Sequence, residues 1–168
     1  TAYDLYQDPS FDIDAIDIPK KYEKASKTMS RGTAAKQDGR ASWDFASYDM
    51  HIDNALAWSQ SHEMLDNVYY FAVPCVATRT ENDKVVADAK AIPSMFMRSS
   101  ILMSAYTGTT KGGYVIDASW QPNDGLVNTI SAKAPIGQPS QDYNGQSLVP
   151  GIWYNMPVVE GEHMCLQG

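Results

Sequence analysis

The run Val68-Tyr69-Tyr70-Phe71-Ala72-Val73 narrows most sharply what this chain can fold into. It is an unbroken series of aromatic, β-branched and small apolar residues ended by Pro74. Such a run suits a strand buried on both faces, because a half-exposed strand would alternate apolar with polar residues. Just upstream, Ile52, Ala55, Leu56, Ala57, Trp58, Met64 and Leu65 recur near helical spacing from His51 to Leu65, with Asp49 placed to cap the N-terminus. A helix leading directly into such a strand predicts an α/β fold with a mostly parallel sheet.

The rest of the chain surrounds that unit with loops. Its 168 residues, 43% of them hydrophobic, fit roughly one domain with its own core. Residues 1–19, broken by Pro9 and Pro19, read as an extended connection over the surface. Lys20 to Met29 reads as a short helix and Ser30 to Gly39 as a loop. Residues 85–107 hold the apolar patches Val85-Val86, Met95-Phe96-Met97 and Ile101-Leu102-Met103; their element type stays open, and they are expected to line a core or cleft. Tyr106 to Gly113 reads as loop. The stretch 117–150, rich in Asp, Asn, Pro, Gly and Ser, reads as a long insertion of the kind that more often carries function than not.

Charge and hydropathy exclude some partners. A net charge of −7 and a pI near 4.8 argue against nucleic acid, whose binders gain affinity from clustered Lys and Arg. Lys20, Lys21, Lys24 and Lys27 alternate with acids and polar residues and read as a solvated helix face. No window approaches the roughly 18–20 consecutive apolar residues of a transmembrane helix, and no signal peptide opens the chain. Beginning at Thr1 without a methionine, the chain is expected to be a processed product, a fragment or a mature form.

Acid-base chemistry near neutral pH must choose among His51, His62 and His163. His51 and His62 would lie about 16 Å apart along one helix, too far to share a metal, and read as surface or capping residues. His163 follows the apolar run 151–159 in a short Glu-Gly-Glu-His segment, as a residue does in a loop after a strand. Asp124 sits among turn formers in Gln121-Pro122-Asn123-Asp124-Gly125, so it is either a turn Asp bonding its own backbone or the carboxylate that orients an imidazole. Acid before histidine is the chain order of α/β-hydrolases, yet no G-x-S-x-G and no HGGG-type oxyanion motif occurs. Ser94 and Ser119 lack the flanking glycines of a nucleophile elbow, and nothing basic near Cys75 in sequence supports it as a substitute. Cys75 and Cys165 form no CxxC pair; they are either one long-range disulfide or two buried thiols.

The segment Trp120-Gln121-Pro122-Asn123-Asp124-Gly125-Leu126-Val127-Asn128-Thr129-Ile130-Ser131 resembles the acid loop of the secreted bacterial lipases of the staphylococcal and thermophilic bacillus type. Gly151-Ile152-Trp153-Tyr154-Asn155-Met156 with Glu162-His163 resembles that family's approach to its catalytic histidine. The likeness extends to Ala2-Tyr3-Asp4, Asp8, Tyr48-Asp49, Tyr69-Tyr70 and Thr78-Arg79-Thr80, and is weak over 81–115. It implies the C-terminal half of a single α/β-hydrolase domain over 1–168, with Asp124 as triad acid and His163 as general base of an extracellular lipase or esterase. The oxyanion segment, the serine and the first strands would then lie on an N-terminal half, a companion chain cleaved from the same precursor.

The resemblance also places a structural zinc ligand at Asp44, whose partner ligands would lie upstream; the chemistry itself requires no cofactor. A calcium site is not expected, because Cys165 stands two positions after the histidine, where the family has a carboxylate. A Cys75–Cys165 disulfide would tether the histidine loop in its place. The competing expectation is a non-catalytic protein of the same fold, serving in binding, storage or assembly.

Overall fold

The computed structural model describes residues 2–23 and 46–167. Residues 20–23 are helical, and the remainder of the helix expected to Met29, the loop 30–39 and Asp44 lie outside the described residues. The helices are α1 (Ala2–Leu5), α2 (Ala46–Asp49), α3 (Ile52–Ser61) and α4 (Ser94–Ala105), with short 3-10 turns at Ile13–Ala15, Ala118–Trp120 and Thr129–Ala132. The strands are β1 (Tyr70–Ala72), β2 (Cys75–Val76), β3 (Thr78–Glu81), β4 (Lys84–Ala87), β5 (Gly108–Thr109), β6 (Val115–Ile116), β7 (Ser140–Asp142), β8 (Trp153–Asn155) and β9 (Val159–Glu160).

Parallel pairing organises the half of the structure that matters for chemistry. β1, β8 and β7 form a parallel sheet in the order β1-β8-β7, with Tyr70 opposite Trp153 and Ala72 opposite Asn155. After Pro74 the chain continues into β2, which pairs in parallel with β9, Cys75 opposite Val159. Two antiparallel hairpins, β3–β4 and β5–β6, and an isolated antiparallel bridge between Asn123 and Asn128 complete the pairing among the described residues. The β3–β4 turn consists of Asn82 and Asp83, both at positive φ (49° and 60°), the backbone that a two-residue turn matched to strand twist requires.

Of the apolar run 68–73 only Tyr70–Ala72 is strand, and only one face is covered among the described residues. Ala72 is buried, whereas Tyr69, Phe71 and Val73 point outward and Phe71 is 45% exposed. β1 is also an edge strand there, so both an apolar face and a row of backbone groups are open on this side.

Helix α3 starts at Ile52 and ends at Ser61, shorter than the pattern to Leu65 suggested. Asp49 does not cap it. Its carboxylate belongs to the preceding turn α2, and the Asp4 side chain instead accepts the Ile52 N–H at 3.2 Å. The segment 1–19 is therefore not a loose surface connection. Leu5, at 0% exposure, sits in the core with Ile52, Leu102, Met103, Tyr106, Ile116 and Trp120, and Phe11 packs edge-on against Tyr106 at 5.0 Å.

The ambiguous stretch 85–107 resolves into β4 followed by α4. α4 is enclosed on several sides: Phe96 and Met97 pack with Ile92, Ala77 and Tyr22, while Leu102 and Met103 face the other cluster. Part of 106–113, expected to be loop, forms β5. Replacing Leu5 by Ala should cost about 2–5 kcal/mol, the range for a buried Leu-to-Ala change, measured by denaturant unfolding of the protein carrying this chain. A change within 0.5 kcal/mol, about what an exposed site gives, would show the N-terminal segment to be peripheral.

Candidate active site

The acid loop 121–128 is a turn in which Asn123 and backbone N–H groups position one carboxylate. Asn123 is completely buried, and its Oδ1 accepts from Ser100 Oγ (2.7 Å) and Gly125 N (3.0 Å). Its Nδ2 donates to Gln121 O (2.9 Å), Ser104 Oγ (3.1 Å) and Ser100 O (3.3 Å). The amide thus clamps the loop to α4. Ala77 N–H donates to the Asn123 backbone O at 2.9 Å, and just past the loop the Thr129 side chain donates from Oγ1 to Cys75 O at 2.8 Å.

Gly125 carries the chain round the turn at φ +101°. A Cβ there would come within 3.1 Å of both Ile92 and Phe96, so the position excludes a side chain on backbone and steric grounds together.

Asp124 is 4% exposed. A buried carboxylate is tolerated only when its lone pairs are met. Here Oδ1 accepts from Val127 N (2.7 Å) and Leu126 N (2.9 Å), which leaves Oδ2 to face His163. One oxygen thus closes the turn and the other faces the imidazole.

His163 is brought to it by β9, whose parallel pairing with β2 ends as Gly161 N–H donates to Val76 O at 2.8 Å. The His163 backbone N–H then donates to Asp124 O (3.0 Å), and Nδ1 lies 3.0 Å from Oδ2. Because a carboxylate oxygen accepts, Nδ1 is the donor in this contact, and in the neutral ring Nε2 then holds the free lone pair. Nε2 makes no hydrogen bond among the described residues, and the side chain is 33% exposed. The arrangement can take a proton at Nε2 while Asp124 stabilises the resulting imidazolium.

The other residues singled out from sequence lie elsewhere. His51 occupies the N-cap of α3, with Nδ1 3.3 Å from Asp4 Oδ1 and Nε2 3.0 Å from Gln7 Nε2. His62 ends the same helix, donating from Nδ1 to Trp58 O (2.8 Å) and stacking on the Trp58 ring at 4.2 Å. Cavities of 390 and 780 Å³ are lined without Asp124 or His163.

Cys75 and Cys165 meet but are not bonded: both are thiols, with Sγ atoms 3.7 Å apart. Burial first, then the adjacent Cys165 and the charges of Asp124 and Glu162, pushes the Cys75 thiol up to about 11. Among the described residues no group of three or more His, Cys, Asp or Glu side chains could hold a metal ion, and the zinc ligand expected at Asp44 lies outside them.

A parallel sheet with helices, whose loops present a hydrogen-bonded Asp–His pair, is the arrangement of a partial α/β-hydrolase. The comparisons give that class a family: the chain shares sequence and fold with part of the bacterial lipases of the staphylococcal type. The lipase of Staphylococcus hyicus is 35% identical over 121 residues, 70% of this chain and 17% of that protein. Its crystal structure superposes with a TM-score of 0.58 at 27% identity, covering 74% of this chain and 34% of that one. EstA from Clostridium botulinum matches with a TM-score of 0.72 at 28% identity (81% of this chain, 34% of that chain). Lipase 1 from Pelosinus fermentans matches with a TM-score of 0.59 at 29% identity (73% and 33%). No protein-family model matches the chain. The chain spans about a third of the length of these structures, a partial coverage consistent with the C-terminal half expected from sequence.

Sequence reasoning missed Asn123 as the support of the acid. The signal available was its place directly before Asp124-Gly125, where a small amide can brace the turn. Asn123→Ala would strand the Ser100 and Ser104 hydroxyls and free the loop, with an expected loss of roughly 3 kcal/mol at about 1–3 kcal/mol per unpaired buried group. Denaturant unfolding measures it; an unchanged midpoint would show that the amide does not brace the loop.

Proposed function

We propose that this chain is the acid-and-histidine portion of a lipase-like carboxylic-ester hydrolase whose nucleophilic serine stands on a companion segment, the N-terminal half of the same fold. The observation that carries this reading is the 3.0 Å contact between His163 Nδ1 and a buried Asp124 whose other oxygen is already satisfied by two backbone N–H groups. A turn Asp needs no histidine, and a structural histidine needs no unbonded Nε2.

In the proposed reaction the serine Oγ attacks the ester carbonyl carbon as His163 Nε2 takes its proton. Asp124 keeps the ring in the tautomer that can accept and stabilises the imidazolium formed. His163 then returns the proton to the departing alkoxide, and a water molecule, activated by the same nitrogen, releases the acyl group. Donors for the oxyanion come from the companion segment in this reading.

The open side of β1 supports such a companion. An edge strand with Tyr69, Phe71 and Val73 exposed is a surface that a protein ordinarily covers; a further parallel strand would pair the open backbone, and an element packed on the sheet would cover the apolar face. The substrate class is an ester, with lipid esters first, and the location is extracellular after proteolytic processing, both on the family likeness. Among the described residues no helix is long and apolar enough to cross a membrane.

The test is ester turnover by the protein carrying this chain together with its companion. Asp124→Asn should lower kcat by about 10⁴-fold with folding intact, because the ring loses its correct tautomer, and His163→Ala should fall as far. Retention of full esterase activity by either variant would refute the site assignment. A companion without a nucleophilic serine would favour a binding or assembly role.

A further inference from the structure

We propose that Cys75 and Cys165 form a reversible thiol–disulfide clamp on the loop that presents His163. The inference rests on the reading of His163 as general base, and it adds a control over that residue that the triad chemistry does not contain.

The two sulfurs reach each other across 90 residues of sequence because β9 lies in parallel beside β2, which carries Cys75, and the chain returns toward β2 after His163. Sγ of Cys165 donates to Sγ of Cys75 at 3.7 Å. A disulfide needs about 2.05 Å, so closing the bond asks for an approach of about 1.7 Å from a loop that is exposed at Cys165. The packing admits the pair specifically: a Cβ on Gly161 would fall 2.7 Å from the Cys165 Cβ and 2.5 Å from its Sγ, so the glycine leaves the space the thiol occupies.

The loop's other restraints are few. Beyond Gly161, among the described residues, its hydrogen bonds to the rest of the protein besides the sulfur contact are the two His163 contacts to Asp124, while Met164 N and Cys165 N bond to Glu162 within the loop itself. A bond at Cys165 would fix the segment on the far side of His163 and restrain opening that separates the base from its acid. Without the bond, the β2–β9 pairing and the Asp124 contacts still define the same geometry, so both redox forms suit one fold.

The oxidant is a low-molecular-weight disulfide. The exposed Cys165 thiolate attacks one of its sulfurs, expels the first small thiolate and forms a mixed disulfide. The Cys75 thiolate then attacks the Cys165 sulfur and expels the second. Two protein thiols are oxidised, one small disulfide is reduced to two thiols, and the two protons leave on those thiols. The order follows from burial, since Cys75 is inside with a raised thiol and Cys165 is outside.

The experiment exposes the protein carrying this chain to glutathione disulfide and then to dithiothreitol, reading intact mass and the rate of limited proteolysis across 161–167. The clamp predicts a loss of about 2 Da with no lasting glutathione adduct, reversed by dithiothreitol. It also predicts proteolysis slowed by about tenfold or more in the oxidised form, with Cys165→Ser abolishing both effects. A persistent glutathione adduct, two unreacted thiols, or a disulfide that leaves proteolysis unchanged would overturn it. If the clamp closes and no ester is hydrolysed, the catalytic reading fails and the clamp stands; if ester turnover is present and no disulfide forms, the reverse holds.

Discussion

A carboxylate buried to 4% exposure is the constraint on which the site depends. Left without partners, the buried Asp124 carboxyl would carry an unmet desolvation cost. The structure meets this with two backbone N–H groups on one oxygen and an imidazole on the other, and each solution imposes geometry further away. The backbone donors require the tight turn, which requires Gly125 at positive φ and Asn123 beneath it. The imidazole requires that a loop 39 residues downstream arrive in register, which the parallel β2–β9 pair secures.

The same dependence explains why the hydroxyl-rich face of α4 matters. Ser99, Ser100 and Ser104 are buried on a helix that otherwise contributes Phe96, Met97, Leu102 and Met103 to the core. Ser99 donates to Gly125 O and Ser100 to the Asn123 amide, so the helix carries the polar half of the acid loop's support. Packing and site are therefore one unit on this side, while on the β1 side the sheet ends in exposed aromatic residues.

Some of this was legible in the residues. The helix–strand unit at 51–73 was readable because its apolar spacing changes from helical to continuous, although the strand proved covered on one face only. Apolarity reports that a face must be covered and does not distinguish cover by the same chain from cover by another. Helix α4 escaped assignment because it is enclosed on several sides and so lacks the amphipathic stripe that marks a surface helix. The β3–β4 hairpin carried its signal in Asn82-Asp83, a pair suited to positive φ, but the flanking strands are too short and mixed to stand out. Asp49 was a reasonable cap by position, yet a residue 48 positions before Ile52 took the role, a long-range contact no local pattern encodes. The Asp124–His163 pair came from family resemblance, since spacing alone left each residue with an ordinary alternative.

Asp124 and His163 are proposed to serve a serine on the companion segment. The most direct test is labelling of the protein carrying this chain, with its companion, by a serine-directed fluorophosphonate, followed by peptide mapping of the adduct. One adduct is expected, on a serine outside residues 1–168, formed only while His163 is intact. An adduct on a serine within 1–168, or labelling that survives His163→Ala undiminished, would contradict it.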